Sequence, residues 1–300
     1  MHVLQKLIRN YKSSLNHFYS IVKSELFILV YLITAIISQL LFGFHLYGTI
    51  SLAISYSVGV FIFSSIAFSI VFNSFKNTSS KIIFRNNNIQ LLIIGLIVIL
   101  YFLVLSGQFP QTSLLNKLSE PVRHFFYEPI MILGFSSTVN SILVNNAIAV
   151  IIPLLLLLVF TKQTKEFYVD KLNVRILILL TLLYLPIIIF GQKPVDEIVA
   201  ELPIYLFIAV IPEEFLFRGF LQSRLESAFK NPLNAILLTS IIFGLIHLPI
   251  NIRMYGETVG IATCIGNNAF GGLFIGYLFY KTRSIWTVII FHLISGIALI

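Results

Sequence analysis

The sequence predicts an all-α protein, a polytopic transmembrane helical bundle of about nine spans, and three observations carry that prediction. The first is composition. Of 300 residues, 58% are hydrophobic and 11% charged, and the mean hydropathy is +0.95. No soluble domain could hide so much apolar surface in one core while covering itself with polar groups, so the bilayer is the solvent for most of the chain. The second is length. Nine apolar stretches reach the ~20 residues that a spanning helix needs, starting near Glu25, Thr49, Ile89, Asn140, Ile176, Ile198, Pro232, Gly260 and Ile285. The third is charge sorting. With the N-terminus inside, one set of connections holds sixteen of the twenty Lys and Arg residues, and the other holds Lys117, Arg123, Lys193 and Arg253. Basic residues collect on the cytoplasmic side of membrane proteins. The formal charge of +8 therefore reads as topology, with a cytoplasmic N-terminus and an external C-terminus, and not as a nucleic-acid surface.

Taken in order, residues 1–24 form a polar, basic cytoplasmic segment, either an amphipathic helix on the inner membrane surface or a solvated tail. The first apolar stretch runs longer than a signal-peptide core and reads as a retained anchor. Residues 25–195 form a transmembrane scaffold with almost no ionisable side chains at membrane depth. Its amides, Asn140, Asn145 and Asn146, are expected to be satisfied by hydrogen bonds between helices. The connection from Gln108 to about Val139, with Pro110, Pro121 and Pro129, is expected to be an interfacial helix or lid. The single cysteine, Cys264, excludes an internal disulfide and has no metal-type spacing around it.

From residue 196 to 300 the character changes, because Glu213, Glu214, His247 and His292 fall inside apolar stretches. Ionisable groups at membrane depth are costly and usually functional. In Ile211-Pro-Glu-Glu-Phe-Leu-Phe-Arg218, Glu214 and Arg218 stand four apart and are expected to pair on one helix face. Glu213 points about 100 degrees away. Desolvated and without a cation of its own, it suits accepting a proton near neutral pH. The other reading of these residues is a structural salt-bridge cluster near the interface. If the helix turns near Lys230, Glu213 lies seventeen residues before the turn and His247 seventeen after it, at one depth. His292 enters roughly 15 Å along its own helix from the turn at Lys281. One Glu and two His converging in a membrane make a reaction site or a metal site. Gly272 and Gly276 form a GxxxG pattern for close helix packing, and Asn267 and Asn268 lie near enough to donate into the same cavity.

These motifs, Glu-Glu-x-x-x-Arg at Glu213, Glu214 and Arg218, Phe-x-x-x-His at Phe243 and His247, and the later His292, resemble the CPBP family. That family comprises type II CAAX prenyl endopeptidases together with bacteriocin-processing, self-immunity and lysostaphin-resistance-like proteins. The run Gly276 to Trp286 also resembles the family's lead-in to its last motif. The resemblance covers the final third of the chain. It implies an intramembrane endopeptidase in which Glu213 activates a water, His247 and His292 orient it and stabilise charge on the attacked carbonyl, and Glu214 and Arg218 support them. Members are often named metalloproteases, and a Glu-His-His set is able to hold zinc with an open position. There is no HExxH helix, however, and a Glu bound to zinc is not a free base, so the expectation is water activation without a tightly bound metal.

One departure stands out. The family's last motif is His-x-x-x-Asn, and here Gly296 replaces the Asn, with Asn267, Asn268 or Ser295 as the substitutes at hand. The expected substrate is a membrane-associated peptide or protein tail in a bacterial cell membrane, such as a bacteriocin or pheromone, with no prenyl group implied by these residues. The alternative is a non-catalytic scaffold or bacteriocin-immunity protein that retains the fold. A proton-coupled transporter would predict an internal repeat, and none relates the two halves. The sequence leaves the oligomeric state open.

Overall fold

The computed structural model of the protein describes residues 5, 9–14, 16, 26–74, 87–108, 113–161, 172–190 and 194–299. The basic segment 1–24 lies largely outside them, as do the connections 75–86, 162–171 and 191–193. Among the described residues there is no strand. The helices are α1 (Leu26–Tyr47), α2 (Ile50–Ser74), α3 (Asn87–Leu105), α4 (Leu114–Met131), α5 (137–161), α6 (Val174–Phe190), α7 (195–228), α8 (Pro232–Ile246), α9 (Leu248–Tyr255), α10 (Glu257–Thr282) and α11 (Ile285–Leu299).

Every one of the nine expected stretches is helical. Five helices, α1, α2, α3, α5 and α10, are long and apolar enough to cross a membrane, and α8 with α9 makes a sixth if their 49° bend lies within one span. The difference from nine has two sources. The apolar parts of α6 and α11 are short, Val174–Pro186 and Ile285–Gly296. The long α7 is interrupted by Asp196, Glu197, Glu201, Glu213, Glu214, Arg218, Arg224 and Glu226. Large apolar side chains point outward all along the bundle, among them Ile33, Ile62, Leu92, Leu96 and Leu182, as expected where lipid replaces water around a polytopic protein.

The expected lid or interfacial segment is α4. Its N-cap Ser113 accepts a hydrogen bond from the Asn116 backbone N–H at 3.1 Å, satisfying one of the unpaired donors of a helix start. Pro121 and Pro129 sit inside it.

Three proline and glycine features shape the interior. Pro212 has no N–H, so the carbonyls one turn back on α7 lose their usual partner, and residues 206–210 widen into a π-helical turn. Asn145 Nδ2 donates to the Ile208 carbonyl at 2.8 Å and Asn146 Nδ2 to the Phe207 carbonyl at 2.7 Å. The scaffold amides thus occupy acceptors freed just before Glu213. Pro249 likewise removes a bond at the end of α8, and the chain bends at His247. Gly272 and Gly276 let α10 approach α7 and α8. A Cβ at Gly272 would lie 3.0 Å from the Phe243 ring, and one at Gly276 would lie 2.8 Å from Gln222 Oε1. The carbonyls of these two glycines accept from Arg218 Nη2 at 3.2 Å and Gln222 Nε2 at 2.8 Å.

Candidate active site

Glu213 and His247, equally far in sequence from the turn at Lys230, also meet in space. Helix α7 ends at Ala228 and α8 begins at Pro232, and the hairpin brings Glu213 Oε1 to 3.7 Å from His247 Nε2. Their side chains are 8% and 22% exposed, so the imidazole is the more accessible of the two. His247 Nδ1 lies 2.8 Å from the Phe243 carbonyl. A carbonyl only accepts, so this contact assigns the proton to Nδ1 and leaves the Nε2 lone pair facing Glu213. A separation of 3.7 Å is too long for a direct hydrogen bond and short enough for one water to bridge.

Glu214 belongs to a second, deeper group. Its Oε1 lies 3.2 Å from Arg218 Nη1, with both side chains fully buried, as the i to i+4 spacing predicts. The same oxygen lies 2.6 Å from His292 Nδ1. The Arg218–Glu214 contact is within ion-pair distance but off hydrogen-bond angle, so Arg218 Nη1 and Nε and Glu214 Oε2 have no hydrogen-bond partner among the described residues. The guanidinium is held instead by the Gly272 carbonyl and by the Phe243 ring, whose centroid is 4.3 Å from Cζ.

Glu213 stands beside His247 and within electrostatic reach of His292, but the shortest contacts are not shared. The histidines divide between the two acids, His247 with Glu213 and His292 with Glu214. The reason is azimuth. Residue counting fixes depth along a helix, and it leaves open which of two adjacent carboxylates a partner helix meets. Among the described residues no three His, Cys, Asp or Glu side chains converge as a metal-binding group.

Phe243 connects the halves. Its ring packs against His247 at 4.9 Å, His292 at 6.1 Å and Phe217 at 5.3 Å between centroids, besides covering Arg218. Each of the substitutes foreseen for the missing amide has a partner elsewhere, Ser295 through its donor and Asn268 through its acceptor. Ser295 Oγ donates to the His292 carbonyl at 3.0 Å. Asn268 Oδ1 accepts from Asn251 Nδ2 at 2.7 Å. The Asn267 side chain is hydrogen-bonded to Tyr56. Two tyrosines that sequence reasoning missed stand within electrostatic reach of Glu213, Tyr101 of α3 and Tyr205 of α7. Tyr205 also sets its ring edge-on to His292, 6.1 Å between centroids. Neither carried a signal in its own neighbourhood. The pointer to Tyr205 was the glycine at position 296.

Fold and site together define a polytopic membrane protein with two carboxylate–imidazole pairs held in its apolar interior. Residues 195–297, about a third of the chain, match the family described as type II CAAX prenyl endopeptidase Rce1-like, and this C-terminal part is similar to the CAAX-type intramembrane proteases. No curated protein and no solved structure matches the chain.

Proposed function

We propose that the protein is an intramembrane endopeptidase that hydrolyses a peptide bond of a membrane-associated peptide or protein, with Glu213 as general base. The observation that carries this reading is the 3.7 Å gap between Glu213 Oε1 and the unprotonated Nε2 of His247. Two acceptors at that spacing take both hydrogens of one water and leave its oxygen lone pair aimed outward. As the water oxygen attacks the substrate carbonyl carbon, its proton passes to Glu213. When the tetrahedral intermediate collapses, the C–N bond breaks and Glu213 returns that proton to the leaving amine. Glu214 and Arg218 support the site by fixing the His292 ring, whose Nε2 is the nitrogen left to the substrate side. Every step here runs through the chain's own groups.

The full reading places nine spans in the membrane, the N-terminus in the cytoplasm and the last four spans around the site. The cell is bacterial, and the substrate is a secreted peptide such as a bacteriocin or pheromone. Gly296, in place of the family's Asn, favours a second reading, a non-catalytic scaffold or immunity protein that binds its partner in the same cavity.

Glu213→Gln and His247→Ala, compared with wild type at matched accumulation, separate the two. Glu213→Gln keeps shape and hydrogen bonding while removing the base. The expected result is loss of processing by about 100-fold or more in both variants. Full function in both would sink the protease reading and leave the scaffold.

A further inference from the structure

The missing amide leaves a chemical question, because a tetrahedral oxyanion in an apolar interior needs hydrogen-bond donors. The backbone at Gly296 answers part of it. A Cβ built there would fall onto the Tyr205 ring, 2.7 Å from Cζ and 2.5 Å from Oη. The space into which a longer side chain at position 296 would extend, one turn after His292, is already filled by the phenol of Tyr205. Gly296 and Tyr205 are therefore complementary: the first is small because the second is present.

We propose that the Tyr205 hydroxyl is the oxyanion donor of this site, taking the place of the amide that Gly296 lacks. The inference rests on the reading of Glu213 as general base. Tyr205 ends the first section of α7, stands edge-on to His292 and lies within electrostatic reach of both Glu213 and Glu214. Ser295 already donates to the His292 carbonyl, the Asn267 side chain is bonded to Tyr56, and Asn268 is held by Asn251 through its Oδ1. No hydrogen bond from the Tyr205 hydroxyl to another described residue competes with this use. In the reaction, the carbonyl π pair moves onto oxygen as the new C–O bond forms, and that oxygen accepts the Tyr205 O–H. The phenol keeps its proton and is unchanged when the C–N bond breaks.

The alternative is that Tyr205 merely fills space, and Tyr205→Phe tells the two apart because the ring stays and the donor goes. The test uses the full chain in liposomes with a panel of lipid-anchored, internally quenched peptides. Expected is a fall in kcat of about 100- to 1000-fold for Tyr205→Phe, with KM within about threefold and an unchanged melting temperature. Gly296→Asn alone clashes with the ring and loses accumulation or activity. The double variant Tyr205→Ala/Gly296→Asn has both the room and the amide, and it recovers most of the rate. Wild-type kcat in Tyr205→Phe beside an inactive Glu213→Gln would overturn the role of Tyr205 and leave the protease reading intact. Wild type and Glu213→Gln alike silent on every peptide would overturn both.

Discussion

Arg218 is fully buried in the apolar interior, and its charge has three compensating contacts: the Glu214 carboxylate, the Gly272 carbonyl and the face of Phe243. Removing one member of such a group leaves the other charge buried and unpaired, a loss of about 3–5 kcal/mol. Arg218→Ala should therefore lower the melting temperature in detergent sharply and reduce accumulation. Arg218→Ala/Glu214→Gln removes both charges and should recover part of the loss. An unchanged melting temperature in the single variant would mean that the pair contributes little. Arg218→Lys keeps a charge but not the planar fork that reaches carbonyl, carboxylate and ring together, and it should fall between. At this scale the sequence was informative about spacing and silent about azimuth. Four-residue separation foretold the Glu214–Arg218 pair, and equal counts from the Lys230 turn foretold that Glu213 and His247 share a level. No count could say that His292 meets Glu214, or that a tyrosine two turns before Glu213 reaches across to Gly296.

Among the elements, the broken helices are the ones that carry the site, and the scaffold helices complete them. Each π-helical turn leaves carbonyls in need of donors. In α7, Asn145 and Asn146 supply them at Ile208 and Phe207. In α10, where residues 264–268 widen in the same way, Tyr31 Oη donates to the Ile265 carbonyl at 3.2 Å and Gln39 Nε2 to the Gly266 carbonyl at 2.8 Å. The first helices thus brace the backbone irregularities of the last ones, a role for which their polar side chains were legible and their targets were not. The π-helical turn of α7 falls just before Pro212, whose missing N–H is visible in sequence, but its donors come from more than sixty residues away in α5. Hydrogen bonds of this kind between membrane helices are worth about 0.6–1.7 kcal/mol. Asn145→Ala/Asn146→Ala should accordingly destabilise the protein by no more than about 3 kcal/mol yet reduce turnover, since Pro212 immediately precedes Glu213. Thermal melts with kcat measured on the same preparation check this, and a variant that loses stability while keeping full kcat would show that α5 holds the fold and not the base.

For the whole molecule the decisive question is whether α8 and α9 together cross the membrane or dip in and return. Length and composition allow either, because the 49° bend at His247 suits a broken span as well as a re-entrant loop. Charge sorting argues for crossing, since it places Lys230 inside and Arg253 outside and keeps the remaining basic residues consistent. If the pair were re-entrant, α10 would begin on the cytoplasmic side, and the C-terminus would exchange sides. Single cysteines decide it in intact cells. Cys264 is buried beside Asn251, and Cys264→Ser supplies a background that retains a small polar group. Phe135→Cys lies between α4 and α5 and Met254→Cys near the end of α9, at side chains 50% and 60% exposed. Lys230→Cys lies at the exposed turn between α7 and α8. Crossing predicts that a membrane-impermeant maleimide labels positions 135 and 254 from outside, and position 230 only after permeabilisation. Labelling of 230 and 254 from the same side would establish the re-entrant form and reduce the count of crossings by one. It would also put His247, the more exposed histidine of the site, at the bend of a loop entered from the cytoplasmic face.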